Sequence, residues 1–118
     1  MKICVAGGAG YIGSHLVLAL LETGHEVTVF DNLSTGRREN LFPDCLFVPG
    51  DLLNKEDLRK CFSKPFDGVV HLAAKKAAGI SMAGPEFYAE NNINSTVNLI
   101  TAAVTAGTEN IIFSFFFA

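Results

Sequence analysis

The feature that most constrains this chain is Gly7-Gly8-Ala9-Gly10-Tyr11-Ile12-Gly13, set between a short apolar run and a helical repeat. The glycines read as G-x-x-G-x-x-G (7, 10, 13) or as G-x-G-x-x-G (8, 10, 13), and the physical requirement is the same. Glycine has no Cβ, so such a turn lets backbone approach a ligand closely. A helix starting directly after it aims free N–H groups and a positive dipole end at the turn, an arrangement suited to a pyrophosphate.

The flanking pattern supplies the context this motif needs. Lys2–Ala6 predicts a buried strand. Residues 11–22 predict a helix with Ile12, Leu16, Ala19 and Leu20 on one face, closed near Gly24. Glu26–Phe30 predicts a second strand ending at Asp31, followed by a polar loop over 32–40. Cys45–Val48 predicts a third strand, Lys55–Phe62 a short helix, and Gly68–Ala73 a fourth strand. After a small-residue loop over 75–84, Pro85 suits the first turn of a long helix. Its expected apolar stripe is Ile93, Val97, Ile100 and Val104, with Gly107 at its end; Asn110–Phe113 begins a fifth strand. Strands and helices alternate, and the strands are continuous apolar runs. Both facts point to the α/β class, a parallel sheet covered on two faces, opening with a right-handed βαβ unit. The expectation is a Rossmann-like doubly wound parallel sheet, truncated after about the fifth strand, forming one dinucleotide-binding domain over residues 1–118.

Asp31 stands 18 residues after Gly13, where a carboxylate accepts hydrogen bonds from ribose hydroxyls. It would repel a 2′-phosphate, so NAD is favoured over NADP; Arg37 and Arg38 read most simply as a solvated loop. Gly50-Asp51-Leu52 follows the third strand, where Asp51 either accepts from an adenine amine or serves as a turn or helix-start residue. His71-Leu72-Ala73-Ala74 ends the fourth strand, with small residues that let backbone lie along a dinucleotide. His71 reads as a core histidine rather than a catalytic one. Of Lys75 and Lys76, one reaches a ribose or phosphate, or both are surface lysines.

Composition sets the limits. With 9 Lys+Arg against 12 Asp+Glu and a net charge of −3, nucleic acid is a poor principal partner. No apolar run approaches the roughly 20 residues of a membrane span, and glycines interrupt the N-terminal apolar stretch too early for a signal peptide. Three cysteines, Cys4, Cys45 and Cys61, form no C-x-x-C pair and read as reduced thiols, which fits a cytoplasmic protein.

GGAGYIGSH (7–15), FDNL (30–33), GDL (50–52), HLAA (71–74), KAAGIS (76–81) and NNINST (91–96) resemble, in order and spacing, the UDP-glucose 4-epimerases of the extended short-chain dehydrogenase/reductase superfamily. The resemblance runs from Met1 to about Ser114. It implies an isomerase that holds NAD, reversibly oxidises the C4 hydroxyl of a UDP-sugar and returns hydride to the other face of the 4-keto sugar, interconverting UDP-glucose and UDP-galactose. It also implies roles for individual residues. Gly7, Gly10, Tyr11, Ile12 and Gly13 would hold the pyrophosphate. Asp31 and Asn32 would hold the adenosine ribose, with Ser34, Thr35 and Gly36 beside them. Asp51 and Leu52 would contact adenine, and Leu72, Ala73 and Ala74 would line the dinucleotide. Lys76 would bind on the nicotinamide ribose side, and Asn92 would lie near the cofactor.

The chain also departs from the family's pattern. Ile80 stands where Glu is common, and Phe116 stands where the family places a catalytic Ser or Thr. No Tyr-x-x-x-Lys occurs: His15 follows Tyr11 and Asn92 follows Tyr88 at that spacing. The expectation is an N-terminal portion without catalytic residues, without metal and without the UDP-sugar region, inactive alone. The competing readings are a non-catalytic dinucleotide-binding module, a fragment of a related nucleotide-sugar dehydratase, and a damaged product. Four phenylalanines among the last six residues predict self-association through an exposed fifth strand.

Overall fold

A computed structural model describes residues 1–9, 11–33, 41–72 and 84–113. The elements are β1 (Lys2–Ala6), α1 (Tyr11–Glu22), β2 (Glu26–Asp31), β3 (Leu46–Pro49), α2 (Lys55–Cys61), β4 (Gly68–His71), α3 (Gly84–Thr105) and β5 (Asn110–Phe113). All five strands are parallel and lie in the order β3-β2-β1-β4-β5. The chain therefore winds outward from β1 through β2 to β3, then crosses back to place β4 on the other side of β1. This is the expected doubly wound sheet. Strand ends differ from expectation by one or two residues, with β3 beginning at Leu46 and β4 stopping at His71. None of the described helices is long and apolar enough to cross a membrane.

The side-chain alternation of β1 divides the core into two layers. Cys4 and Ala6 face a cluster with Phe30, Leu52, Leu58, Phe62, Leu99 and Ala103 on the α2 and α3 side. Ile3 and Val5 face the other side, with Val17, Val27 and Val29 under α1. Burial on both faces explains why the strands read as unbroken apolar runs.

Two helix faces differ from expectation. Among the described side chains of α1 the buried residues are Gly13, Ser14 and Val17, whereas Ile12 and Ala19 are exposed and Leu16 and Leu20 are half-buried. The helix must press Gly13 against the glycine turn, and this fixes its rotation. In α3 the expected stripe lies largely in solvent: Ile93 is 61%, Val97 54% and Val104 62% exposed. Leu99 and Ala103 carry the packing instead, supported by Ala102 and Ala106. Both faces repeat apolar residues at helical spacing, and the sheet takes the one with small side chains that permits close approach.

Helices α1 and α3 end the same way. Gly24 and Gly107 adopt φ of 87° and 88°, a left-handed conformation open to glycine. His25 N–H then donates to Leu20 O, and Thr108 N–H to Ala103 O, closing the last turns as Schellman motifs.

Candidate dinucleotide-binding site

The strand order creates a topological switch between β1 and β4, and the crevice outside their carboxyl ends is where an open α/β sheet binds ligands. Backbone hydrogen bonds lace this edge together. Gly7 N–H donates to Phe30 O at 2.9 Å, Leu72 N–H to Ala6 O at 2.7 Å, and Gly50 N–H to Asp31 O at 3.2 Å. The segments leaving β1, β3 and β4 are thereby tied to neighbouring strands.

The glycine turn has no room for side chains at its critical points. Gly7 has φ of 94°. A Cβ on Gly13 would run into the Gly7 carbonyl oxygen and come within 2.8 Å of Gly8 Cα, both of them backbone atoms. A Cβ on Gly8 would meet both Val29 methyl groups at 2.9 Å. The turn is thus packed onto α1 and β2 from below. Helix α1 starts at Tyr11, so the N–H groups of its first turn, which an α-helix does not itself satisfy, stand at the turn. That is the cradle a pyrophosphate requires, and the residues present fit it.

Asp31 is buried at the end of β2, 9% exposed. Its Oδ2 accepts Ala9 N–H at 3.0 Å and its Oδ1 accepts Leu33 N–H at 2.7 Å. The carboxylate both shapes the turn and orders the chain leaving β2. A carboxylate offers about four lone-pair sites, so acceptor capacity remains for ribose hydroxyls. Asn32 beside it is exposed.

Asp51 is exposed. Its Oδ1 accepts Leu53 N–H at 2.9 Å, and its own N–H donates to Asp57 Oδ2 at 3.1 Å. Leu52 packs its side chain into the core, and its carbonyl accepts from Asn98 Nδ2 at 3.0 Å. Leu72 is half-buried and packs against the Ile3 and Val5 layer. Ile12 is exposed on the first turn of α1. Gly10, Ser34, Thr35, Gly36, Ala73, Ala74 and Lys76 lie outside the described residues, as do Arg37, Arg38 and Lys75. The side chains of Tyr11 and Asn92 are not among those described.

His71 is a core residue, 5% exposed, with Nε2 at 3.2 Å from Thr96 Oγ1 on α3. Burial pushes its pKa below the usual 6.5. No metal-binding group of three or more ligating side chains occurs among the described residues.

Sequence reasoning missed three supporting residues. Asp57 braces Asp51, Asn98 fixes Leu52, and Asn54 caps α2 by accepting the Glu56 and Asp57 N–H groups. The Asn54-x-x-Asp57 spacing is a helix-start signature and was the available signal. Asp57 departs from the capping box by reaching Asp51 N–H instead of the cap's own N–H. Asn98 carried no local signal, because its partner lies 46 residues away.

Comparison with known proteins agrees with this geometry. The model of the NAD dependent epimerase/dehydratase family matches residues 3–115. UDP-glucose 4-epimerase 3 of Oryza sativa is 42% identical over 96% of this chain, and the UDP-glucose 4-epimerase of Klebsiella pneumoniae is 38% identical over 97%. The chain spans 34% of the rice protein and 88% of the Klebsiella sequence. Among solved structures, the Thermus thermophilus UDP-glucose 4-epimerase complex with NAD superposes with a TM-score of 0.87 at 40% identity, covering 94% of this chain and 36% of that one. The Thermotoga maritima UDP-glucose 4-epimerase with UDP-glucose gives 0.88 at 39%, covering 96% and 37%. The strand order, the glycine turn braced by Asp31 and the match along nearly the whole sequence agree: this chain belongs to the NAD dependent epimerase/dehydratase family.

Proposed function

We propose that this chain is the NAD-binding portion of a nucleotide-sugar epimerase that interconverts UDP-glucose and UDP-galactose. The observation that carries the reading is the Asp31 bridge to Ala9, which holds the glycine turn at the N-terminus of α1. The turn and the first N–H groups of α1 hold the pyrophosphate, with Gly13 keeping the approach open. Asp31 and Asn32 hold the adenosine ribose, with Ser34, Thr35 and Gly36 contributing beside them. Asp51 meets the adenine. Leu72, Ala73 and Ala74 line the dinucleotide, Lys76 binds on the nicotinamide ribose side, and Asn92 lies near the cofactor. Bound NAD supplies a hydride acceptor that also returns the hydride. Asp31, Asp51 and Asp57 make the adenosine end acidic, which opposes a 2′-phosphate.

The resemblance to UDP-glucose 4-epimerases, including structures with NAD and with UDP-glucose, supports this assignment. Residues 1–118 contain no Tyr-x-x-x-Lys, so the chain by itself binds the cofactor and turns over no sugar. The cytoplasm, where thiols are reduced in the resting state, is the compartment that suits it.

Calorimetric titration tests the proposal. NAD binds, NADP binds at least about tenfold more weakly, and Gly13→Val abolishes both. Equal or tighter NADP binding, or no binding of either cofactor, overturns the reading. UDP-glucose supplied with NAD remains unconverted; turnover that is lost in Gly13→Val would contradict the division of labour.

Self-association is a separate proposal. Among the described residues β5 is an edge strand paired only with β4, and Ile112 is 60% exposed. Sedimentation at rising concentration is expected to show larger species, and a chain ending at Asn110 fewer of them. A clean monomer throughout would end this idea.

A further inference from the structure

Two thiols that cofactor binding does not use meet inside the core. Cys4 Sγ lies 3.8 Å from Cys61 Sγ. Cys4 is on the central strand β1 and fully buried; Cys61 is the last residue of α2 and 6% exposed. Their neighbours are Ala6, Leu58, Phe62 and other apolar residues, an environment any small apolar side chain would satisfy. Two facing sulfurs offer what such a residue cannot, a bond between them.

We propose that Cys4 and Cys61 are a peroxide-responsive dithiol that closes to a disulfide joining β1 to α2. Cys61, as thiolate, attacks hydrogen peroxide: an S–O bond forms, the O–O bond breaks, and the departing hydroxide leaves as water after taking a proton. The Cys4 sulfur then attacks the Cys61 sulfenic sulfur. The S–S bond forms, the S–O bond breaks, and the hydroxide leaves as a second water with the Cys4 proton. Two thiols and one peroxide thus give one disulfide and two waters, with two electrons passing from sulfur to peroxide oxygen.

Exposure sets this order, since Cys61 is 6% exposed and Cys4 is fully buried. The hydrogen bond to Cys61, together with burial, holds the Cys4 thiol protonated, well above the usual thiol range. With Cys4 as the donor, the same contact lowers the Cys61 pKa against the opposing effect of burial. Closure requires the sulfurs to approach to about 2.05 Å. β1 is paired on both sides, so the movement falls to Cys61, at the end of a seven-residue helix. Cys61 is 6% exposed, a degree of access that suits a small neutral peroxide better than a tripeptide disulfide. The link would tie α2, which carries Asp57, to the strand that leads into the glycine turn.

Intact mass measurement decides the matter on the 118-residue chain, unaltered and as Cys45→Ser. Each is treated with hydrogen peroxide or with glutathione disulfide, then unfolded and alkylated. With peroxide, Cys4 and Cys61 are expected to escape alkylation together, the unalkylated mass to fall by about 2 Da, and dithiothreitol to restore both. Glutathione disulfide is expected to leave both alkylatable. Oxygen added to Cys61 while Cys4 remains alkylatable overturns the proposal. So does a disulfide between two chains, closure by glutathione disulfide at a similar rate, or a pair still reduced after Cys45 of the unaltered chain has been oxidised. Cys4→Ala is expected to stop at oxygenated Cys61; should that variant not fold, the unaltered chain still gives the answer.

Discussion

Asp31 Oδ2 accepts the backbone N–H of Ala9 at 3.0 Å, joining the end of β2 to the turn that leaves β1. Ala9 is fully buried, so the bond lies in a medium where losing an acceptor is costly. Asp31→Ala is expected to destabilise the chain by about 1–3 kcal/mol. Asp31→Asn keeps one oxygen and loses less. Urea midpoints give the energies. Exchange of the Ala9 amide should accelerate in Asp31→Ala, and an unchanged rate would show that the carboxylate does not hold the turn.

Gly13 and Gly24 separate two uses of glycine. Gly13→Ala drives a methyl into Gly7 backbone, with a cost of about 1–3 kcal/mol and loss of NAD binding. Gly24→Ala has open space but φ of +87°, costs about 1–2 kcal/mol, and leaves NAD binding intact. Parallel unfolding curves and NAD titrations check both. Equal NAD affinity in the two variants would remove Gly13 from the site.

The rotation of α3 predicts opposite outcomes for two neighbouring residues. Leu99→Ala removes a fully buried side chain and is expected to cost about 2–5 kcal/mol. Val97→Ala alters a side chain 54% exposed and is expected to stay within about 0.5 kcal/mol. Urea denaturation of this chain distinguishes them; a reversed ranking would restore the Ile93–Val104 stripe as the core face.

These same positions show where the sequence was legible. The order and type of every element followed from apolar runs and glycine punctuation, because a buried parallel strand and a glycine-capped helix leave local marks. Helix rotation left none. In α3 two apolar faces compete, and only the sheet's preference for Ala103 over Val97 chooses between them. Asp31 was legible as a candidate through its distance from Gly13. Its bond to Ala9 was not, since that depends on how β1 and β2 end side by side. Asn98 and Asp57 were hidden for the same reason: their partners become neighbours only in the folded chain.

His71 predicts a pH dependence. Burial lowers its pKa from 6.5, so the unfolded chain binds the proton more readily than the folded one. Its stabilising contribution is fully present above pH 6.5 and is lost as pH falls toward the lower folded value. His71→Gln, which can still hydrogen-bond Thr96, is expected to flatten the stability profile between about pH 5 and 7. Urea midpoints across that interval give the slope, and identical slopes in both chains would assign it to other groups.

The position of β1 between β2 and β4 sets a timetable for biosynthesis. One edge of β1 pairs with β2 across a short helical crossover. The other waits for Gly68–His71, 62 residues beyond Ala6. At ribosomal rates that interval is roughly 3–12 s. During it the nascent chain carries an apolar strand with one open edge, the state that chaperones bind and that aggregates when they do not. Substitutions that weaken β4 should therefore reduce soluble yield during synthesis more than their effect on the finished fold implies.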